Sequence, residues 1–205
     1  MSNQGSQEWL NDRLGHASAS RFADILAVNA KGVPLKSRED YMMQLVTERL
    51  YNRATDSASS QAMQWGKDSE PLARAAYEVE TGSIVTESDF VKHPSIKFVG
   101  CSPDGLIGTD GGYESKCPST SRIHVQTWRD GMPKEHIAQV QGCMWVTGRK
   151  WWDFISYDPR ACEAMRIYIE RIERDDVYIK NLESEVIKFL SEVQAQIGLL
   201  TKKVA

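Results

Sequence analysis

Three features of the sequence predict an α/β (α+β) fold, a central mixed β-sheet flanked by helices. Residues 84–91 and 96–101 alternate in hydrophobicity and lead into 99–118, which has the strand, turn, strand pattern of a hairpin. Residues 150–157 (K-W-W-D-F-I-S-Y) and 164–172 (A-M-R-I-Y-I-E-R-I) form a second alternating pair, separated by the Asp158-Pro159-Arg160 turn signal. Around these strands lie segments with apolar residues at i, i+3 and i+4, the pattern of helices that cover a sheet. With 205 residues, 41% of them hydrophobic, the chain can bury one full core, so a single domain over 1–205 is expected.

The first helix is expected from Ser6 to Leu14, capped by Ser6 and stopped at Gly15. The serines of His16-Ala-Ser18-Ala-Ser20 are placed to cap a second helix through Phe22, Ile25 and Leu26. Residues 29–37 form a loop, closed by Ser37 capping a helix from Arg38 to about Arg53, in which Tyr41, Met42, Leu45, Val46, Arg49 and Leu50 share a face. Lys31, Lys36 and Arg38 fit DNA-backbone contact and plain solvated charge equally well. Past the small polar stretch 54–60, a helix runs from about Ser59 toward Glu80 and ends at Thr81-Gly82. Pro71 inside it predicts a new start or a bend, because its ring lacks an N–H and crowds the preceding turn.

After Pro118, Ser119-Thr120-Ser121 caps a helix over 122–130, which Gly131 ends and Pro133 keeps from resuming. A further helix, 134–147, turns Ile137, Val140, Met144 and Trp145 inward. The aromatic residues of 150–157 have two fates open to them, buried core or a base-stacking surface, and core is the commoner. His124 and His136 lack the spacing of a metal-binding pair on a helix. A long amphipathic helix, 175–200, closes the chain with Val177, Leu182, Val186, Phe189, Leu190, Val193 and Ile197 toward the body. Its length is enough to cover a sheet edge or a neighbouring subunit as well.

The chemistry concentrates in the first hairpin. Pro103-Asp104 is followed, after nine residues, by Glu114-Ser115-Lys116, with Asp110-Gly111-Gly112 as the turn signal between. Strand side chains alternate, so Glu114 and Lys116 share a face and Ser115 points away. Whether Asp104 joins them is a matter of parity. A two-residue loop puts Asp104 opposite Cys117, on the far face; a three-residue loop or one bulge puts it opposite Lys116, one step from Glu114. Given the odd loop, the trio suits phosphodiester hydrolysis. Mg²⁺ keeps several waters and takes few protein ligands, so Asp104, Glu114 and the Ser115 carbonyl suffice. Lys116 then orients the attacking water and offsets charge on the phosphate. Spacing alone leaves a second reading open, since Pro-Asp-Gly is a common turn and Glu-x-Lys a common solvated edge strand.

Upstream, helix-capping hydroxyls beside Arg13 make a ready anion site, with an ordinary cap and a surface arginine as the competing reading. The run Cys101-Ser-Pro-Asp-Gly-Leu106, Glu114-Ser-Lys-Cys-Pro118, Ala138-Gln-Val-Gln141, Met144-Trp-Val-Thr147 and Tyr157-Asp-Pro-Arg160 resembles, in order and spacing, the lambda-type phage exonucleases. These are the YqaJ-like viral-recombinase branch of the PD-(D/E)xK nucleases, and the resemblance extends to Arg13-Leu-Gly15 and Trp65-Gly-Lys-Asp-Ser-Glu70.

That resemblance implies a restriction-endonuclease-like core and a Mg²⁺-dependent (or Mn²⁺-dependent) enzyme that digests one strand of linear duplex DNA from the 5′ end. It implies that Asp104, Glu114 and Lys116 carry the reaction, with Glu70 and Gln139 as further active-site groups. It places the terminal 5′-phosphate on Arg13, Ser20 and Ser102, and makes Met63 an apolar wedge between base pairs. Without the resemblance, Glu70 and Gln139 read as surface residues and Met63 as core. The family also implies a ring-shaped homotrimer and a phage single-strand annealing protein as partner.

The formal net charge of −3 argues against a simple basic coat for DNA and is compatible with an acidic enzyme that has a basic track. Four cysteines without metal-ligand spacing, and no signal peptide or long apolar run, point to a reduced, cytoplasmic protein with no membrane; the resemblance adds a bacterial host and a phage or prophage gene. Two other functions remain consistent with the same core: a structure- or sequence-specific endonuclease, and a DNA-binding protein without chemistry.

Overall fold

The computed structural model describes residues 6–55 and 60–203. Helix α1 (Gln7–Arg13) starts as expected: Ser6 caps it by accepting a hydrogen bond from the Trp9 N–H. The segment after it departs from expectation. Ala17–Ser18 is a short strand, β1, and only one 3-10 turn and a four-residue helix, α2 (Phe22–Ile25), follow. Two strand residues between a glycine turn and a helix carry too little period to be read from sequence.

Helix α3 (Lys36–Tyr51) starts two residues before the predicted Arg38, with Leu35 at its cap, so Ser37 lies inside the helix and caps nothing. Helix α4 (Gln61–Thr81) runs as one helix through Pro71, so no new helix starts there. The lost hydrogen bond and the crowding of the preceding turn cost about 3 kcal/mol, and the packing of Ala73 and Tyr77 on a sheet offsets them in this helix of 21 residues. The small polar stretch expected at 54–60 falls partly outside the described residues.

The strands form two sheets where a single one was expected. Strands β3 (Val91–Lys92) and β4 (Val99–Cys101) join β1 in the order β1-β4-β3, with β1 parallel to β4. The larger sheet contains β2 (Val85–Thr86), β5 (Gly105–Ile107), β6 (Gly111–Lys116), β7 (Trp151–Tyr157) and β8 (Ile167–Glu173), in the order β2-β5-β6-β7-β8. Only β6 and β7 in it pair parallel. A parallel pair needs a crossover, which α5 (Ser121–Asp130) and α6 (Ile137–Thr147) supply. The link from β7 to β8 holds a 3-10 turn, Glu163–Met165, besides the predicted Asp-Pro-Arg turn.

The five-stranded sheet is covered on both faces. Tyr113, Ile155 and Tyr157 pack against Ala73 and Tyr77 of α4, and the Tyr77 and Tyr113 rings meet edge to face at 5.1 Å. Trp152 turns the other way, into a larger core shared with α2, α3, α6, the small sheet and the C-terminal helix α7 (Asp176–Lys203). Leu182, Val186, Phe189 and Val193 of α7 are buried there, but Val177, predicted to face the body, is exposed. The aromatic β7 residues went to core: Trp152, Phe154 and Tyr157 are buried. Ile137 is only half-buried.

The hairpin of β5 and β6 has the odd loop. Ile107 pairs with Gly111, so the loop is Gly108-Thr109-Asp110, with Gly108 at φ 51°. The turn therefore precedes the predicted Asp110-Gly111-Gly112, because those glycines are needed in the strand. A Cβ on Gly111 would strike the Trp151 ring, and one on Gly112 the Trp152 ring. The pairing of Gly105 with Tyr113, continued by one residue, sets Asp104 opposite Glu114 rather than the predicted Lys116. The face is the one the chemistry requires.

Asp158 and Arg160 tie the far end of the sheet to α4. Arg160 bonds both Asp158 oxygens, donates to the Pro118 and Ser119 carbonyls, and lies 4.4 Å over the Trp65 ring. The Arg160 hydrogen bonds pull the Asp158 carboxyl down to about 2. A depressed carboxyl stabilises the fold above its unfolded value and loses that contribution as pH falls through about 2. The stability gap between the parent and Asp158→Asn is therefore expected to be full at pH 5 and to close between pH 4 and 2, as read by urea unfolding. Gly112→Ala, which drives a methyl into the buried Trp152 ring, is expected to cost about 1–3 kcal/mol and lower the melting temperature.

Candidate active site

Alternation along β6 turns Tyr113 toward α4 and presents Glu114 to α6, on the face that Lys116 shares. Glu114 is 1% exposed. Its Oε1 accepts from Lys116 Nζ at 2.5 Å and from Gln139 Nε2 of α6 at 2.5 Å. Its Oε2 is buried with no hydrogen-bond partner. Burial first, then the Asp104 charge, push the Glu114 carboxyl up to about 7 against the pull of Lys116. Burial alone would lower the Lys116 ammonium, but Glu114 and Asp104 outweigh it and hold the amine protonated.

Asp104 sits just before β5, and its Oδ2 accepts from the Ser115 N–H at 2.9 Å and the Ser115 hydroxyl at 3.3 Å. The Ser115 side chain, predicted to point away from Glu114 and Lys116, still reaches Asp104 through its hydroxyl. At the strand end, the Asp104 carboxylate reaches across to it. Cys117 follows, its thiol raised to about 12 by burial and then by Glu70 and Asp104, so it is no nucleophile.

An orphaned carboxylate oxygen in a buried site has a missing partner, and a cation is the partner its chemistry asks for. Asp104, Glu114 Oε2 and a carbonyl at Ser115 are hard oxygen donors, the set that suits Mg²⁺ or Mn²⁺. Among the described residues no group of three or more His, Cys, Asp or Glu side chains is placed to hold a metal, so the protein's own share of such a site is small. Few protein ligands and several waters is how Mg²⁺ is commonly held.

Glu70 is an exposed residue of α4 beside this site. Desolvation and then Asp104 push its carboxyl up, opposed by Lys116. It also lines a cleft of about 820 Å³ together with Arg13, Met63 and Lys67. Pro71 has therefore not carried Glu70 away from the other acids. Met63 is 48% exposed on the cleft wall, not core.

The three predicted phosphate-binding residues come from three segments. Arg13 Nη2 donates to Ser20 Oγ at 3.2 Å, and Ser20 lies 3.4 Å from the Ser18 hydroxyl. Ser102 is linked to them by Trp9, a residue the sequence did not single out. The Trp9 indole donates to Ser102 Oγ at 3.2 Å, and the Arg13 guanidinium lies 5.1 Å from its ring centroid. Its signal was its place one helical turn before Arg13. Arg149 was also missed. Its Nη1 donates to the Ile107, Gly108 and Gly111 carbonyls and clasps the hairpin loop.

Two of the histidines are held by contacts within the protein. His124 is buried between the Ser156 hydroxyl and the Met165 carbonyl, and His136 stacks on Phe154. Cysteine burial is mixed: Cys101 and Cys143 are buried as expected of core thiols, while Cys162 is exposed.

Comparison with known proteins shows the family and the fold. Residues 8–150 match the YqaJ-like viral recombinase domain. A crystal structure of an alkaline exonuclease (LHK-Exo) from Laribacter hongkongensis is 45% identical, with 97% of this chain and 98% of that one aligned at a TM-score of 0.88. The same protein in complex with dAMP superposes at 0.89. A phage related exonuclease from Haemophilus somnus 129PT shares the fold at 13% identity and a TM-score of 0.66, over 93% of this chain and 96% of that one. An Escherichia coli (strain K12) protein called ExoD is 34% identical over 74 residues, 35% of this chain and 84% of that one. Matched over most of its length by the domain and nearly throughout by a 45% identical structure, the chain belongs to the YqaJ-like viral recombinase family.

Proposed function

We propose that this protein is a divalent-cation-dependent exodeoxyribonuclease that digests one strand of linear double-stranded DNA from the 5′ end. The 3′ overhang so produced serves recombination by strand annealing. A nuclease acting on DNA is what the family and the likeness to an alkaline exonuclease support. The single observation that carries the cation-dependent chemistry is the buried, unpartnered Oε2 of Glu114, on a hairpin whose register places Asp104 opposite it.

When bound, Mg²⁺ or Mn²⁺ supplies Lewis acidity for hydrolysis of the phosphodiester. Asp104, Glu114 Oε2 and the Ser115 carbonyl would hold it. Lys116, kept protonated by the two acids, orients the attacking water and offsets charge on the phosphate. Gln139 holds Glu114 Oε1, which leaves the other oxygen for the cation. Glu70 stands where the cleft meets the acids. Arg13, Ser20 and Ser102 take the terminal phosphate, and Met63 offers an exposed apolar edge to the base pairs.

Two further observations support the reading. The 45% identical neighbour was crystallised with dAMP, a mononucleotide of the kind stepwise digestion releases. Among the described residues no helix is long and apolar enough to cross a membrane, which is compatible with work on DNA in the cytoplasm. Family membership also supports a homotrimeric ring around the duplex and a phage single-strand annealing protein as partner.

Asp104→Asn keeps an acceptor for the Ser115 N–H but removes a charge from the cation site. It is expected to lose digestion of linear duplex by at least about 100-fold while melting within a few degrees of the parent. Chelation of divalent ions should silence the parent equally, and Mg²⁺ should restore it. On matched substrates, linear duplex is expected to shorten from its 5′ ends and a covalently closed circle to survive. Cutting of the closed circle at a comparable rate would make the protein an endonuclease.

A further inference from the structure

Arg13, Ser20 and Ser102 bind a common ligand only if the ends of α1, β1 and β4 keep fixed distances, and one side chain contacts both the turn between α1 and β1 and the residue just before β4. Arg49 of α3 donates from Nε to the Gly15 carbonyl at 2.9 Å. Its neighbour Glu48 accepts from the Gly15 N–H at 3.0 Å, so both peptide groups of Gly15 are held by α3. Gly15 has φ 66°, and a Cβ there would lie 2.7 Å from Arg49 Cγ. This residue forms the turn from Arg13 into β1, whose continuation carries Ser20.

The same guanidinium lies 3.9 Å from the centroid of the Phe98 ring. Phe98 is held at φ 63°, a conformation a non-glycine residue rarely adopts, and its carbonyl accepts from the Ala17 N–H at 2.8 Å. From Phe98 the chain enters β4 and reaches Ser102. Arg49 Nη2 is buried with no hydrogen-bond partner, so this cation gives up a bond to stay in place. Nothing in the cation site requires that.

We infer that Arg49 is a positioning residue that sets the spacing of Arg13, Ser20 and Ser102, and thereby the preference for 5′-phosphorylated over 5′-hydroxyl DNA ends. This rests on the phosphate pocket of the proposed function. In the structure Arg49 bonds the Gly15 carbonyl and packs on the Phe98 ring. It acts through Gly15 and Phe98, and a lysine in its place keeps the charge but loses the flat stacking face and the directed Nε donor.

The test compares the parent with Arg49→Lys and, independently, Gly15→Ala on matched linear duplexes carrying 5′-phosphate or 5′-hydroxyl ends, with thermal melts to confirm folding. Both variants are expected to lower the phosphate-to-hydroxyl ratio of kcat/KM about tenfold, through a raised KM for the phosphorylated substrate with kcat little changed. An unchanged ratio in the folded variants, or a parallel loss of kcat on both ends, would overturn the inference. A parent with no preference for the phosphate would instead overturn the pocket itself, whatever the variants do.

Discussion

The site depends on the parity of one turn. With three residues between β5 and β6, Asp104 and Glu114 fall on one face of the sheet; with two, every side chain of one strand would cross to the other side. Several contacts hold the odd count. The Trp151 and Trp152 rings fill the space over Gly111 and Gly112, Arg149 clasps three loop carbonyls, and the Lys150 N–H donates to the Asp110 carbonyl at 2.8 Å. All of these come from the start of β7 or the residues just before it. The parallel partner strand thus enforces the register of the hairpin beside it.

That register creates an electrostatic problem that the surrounding residues solve only in part. A carboxylate as buried as Glu114, facing a second one, is costly to ionise, and its raised pKa measures that cost. Lys116 and Gln139 both bond the same oxygen, so the deficit is concentrated on Oε2 instead of being spread over the group. A fold optimised only for stability would have placed a donor on each oxygen. Lys116 cannot fully neutralise two acids, and the net negative balance is the condition under which a divalent cation is held.

Helices with long, regular apolar faces and strands with strict alternation were legible in the sequence. Ser6, Gly82 and Gly131 mark real helix ends, and the 150–157 alternation became β7. What escaped was decided by partners far away in the chain. The glycines at 111 and 112 looked like a turn because nothing local reveals that Trp151 and Trp152 would lie over them. β1 is two residues long and exists because β4 pairs with it. Pro71 reads as a break on local rules, yet the packing of Ala73 and Tyr77 carries α4 through it. In the site, the Glu-x-Lys alternation predicted the shared face of Glu114 and Lys116. The shared acceptor of Lys116 and Gln139 is a contact between β6 and α6 that no spacing predicts.

In the proposed enzyme the two sheets would divide the work, the small one serving the terminal phosphate and the large one the cation. The small sheet and α1 bring Ser102, Arg13 and Ser20 together, while the large sheet carries Glu114 and Lys116. Asp104, which opens the large sheet, follows Ser102 with only Pro103 between. Two residues span at most about 7 Å, the scale of one nucleotide in a strand. A terminal phosphate held at Ser102 would therefore leave the next phosphodiester near Asp104, which favours release of one nucleotide at a time. Pro103 stiffens this connection by fixing φ, so the distance is set by the backbone rather than by side-chain choice. A more flexible link would let the strand end slide past the acids, and the size of the released product would be poorly defined.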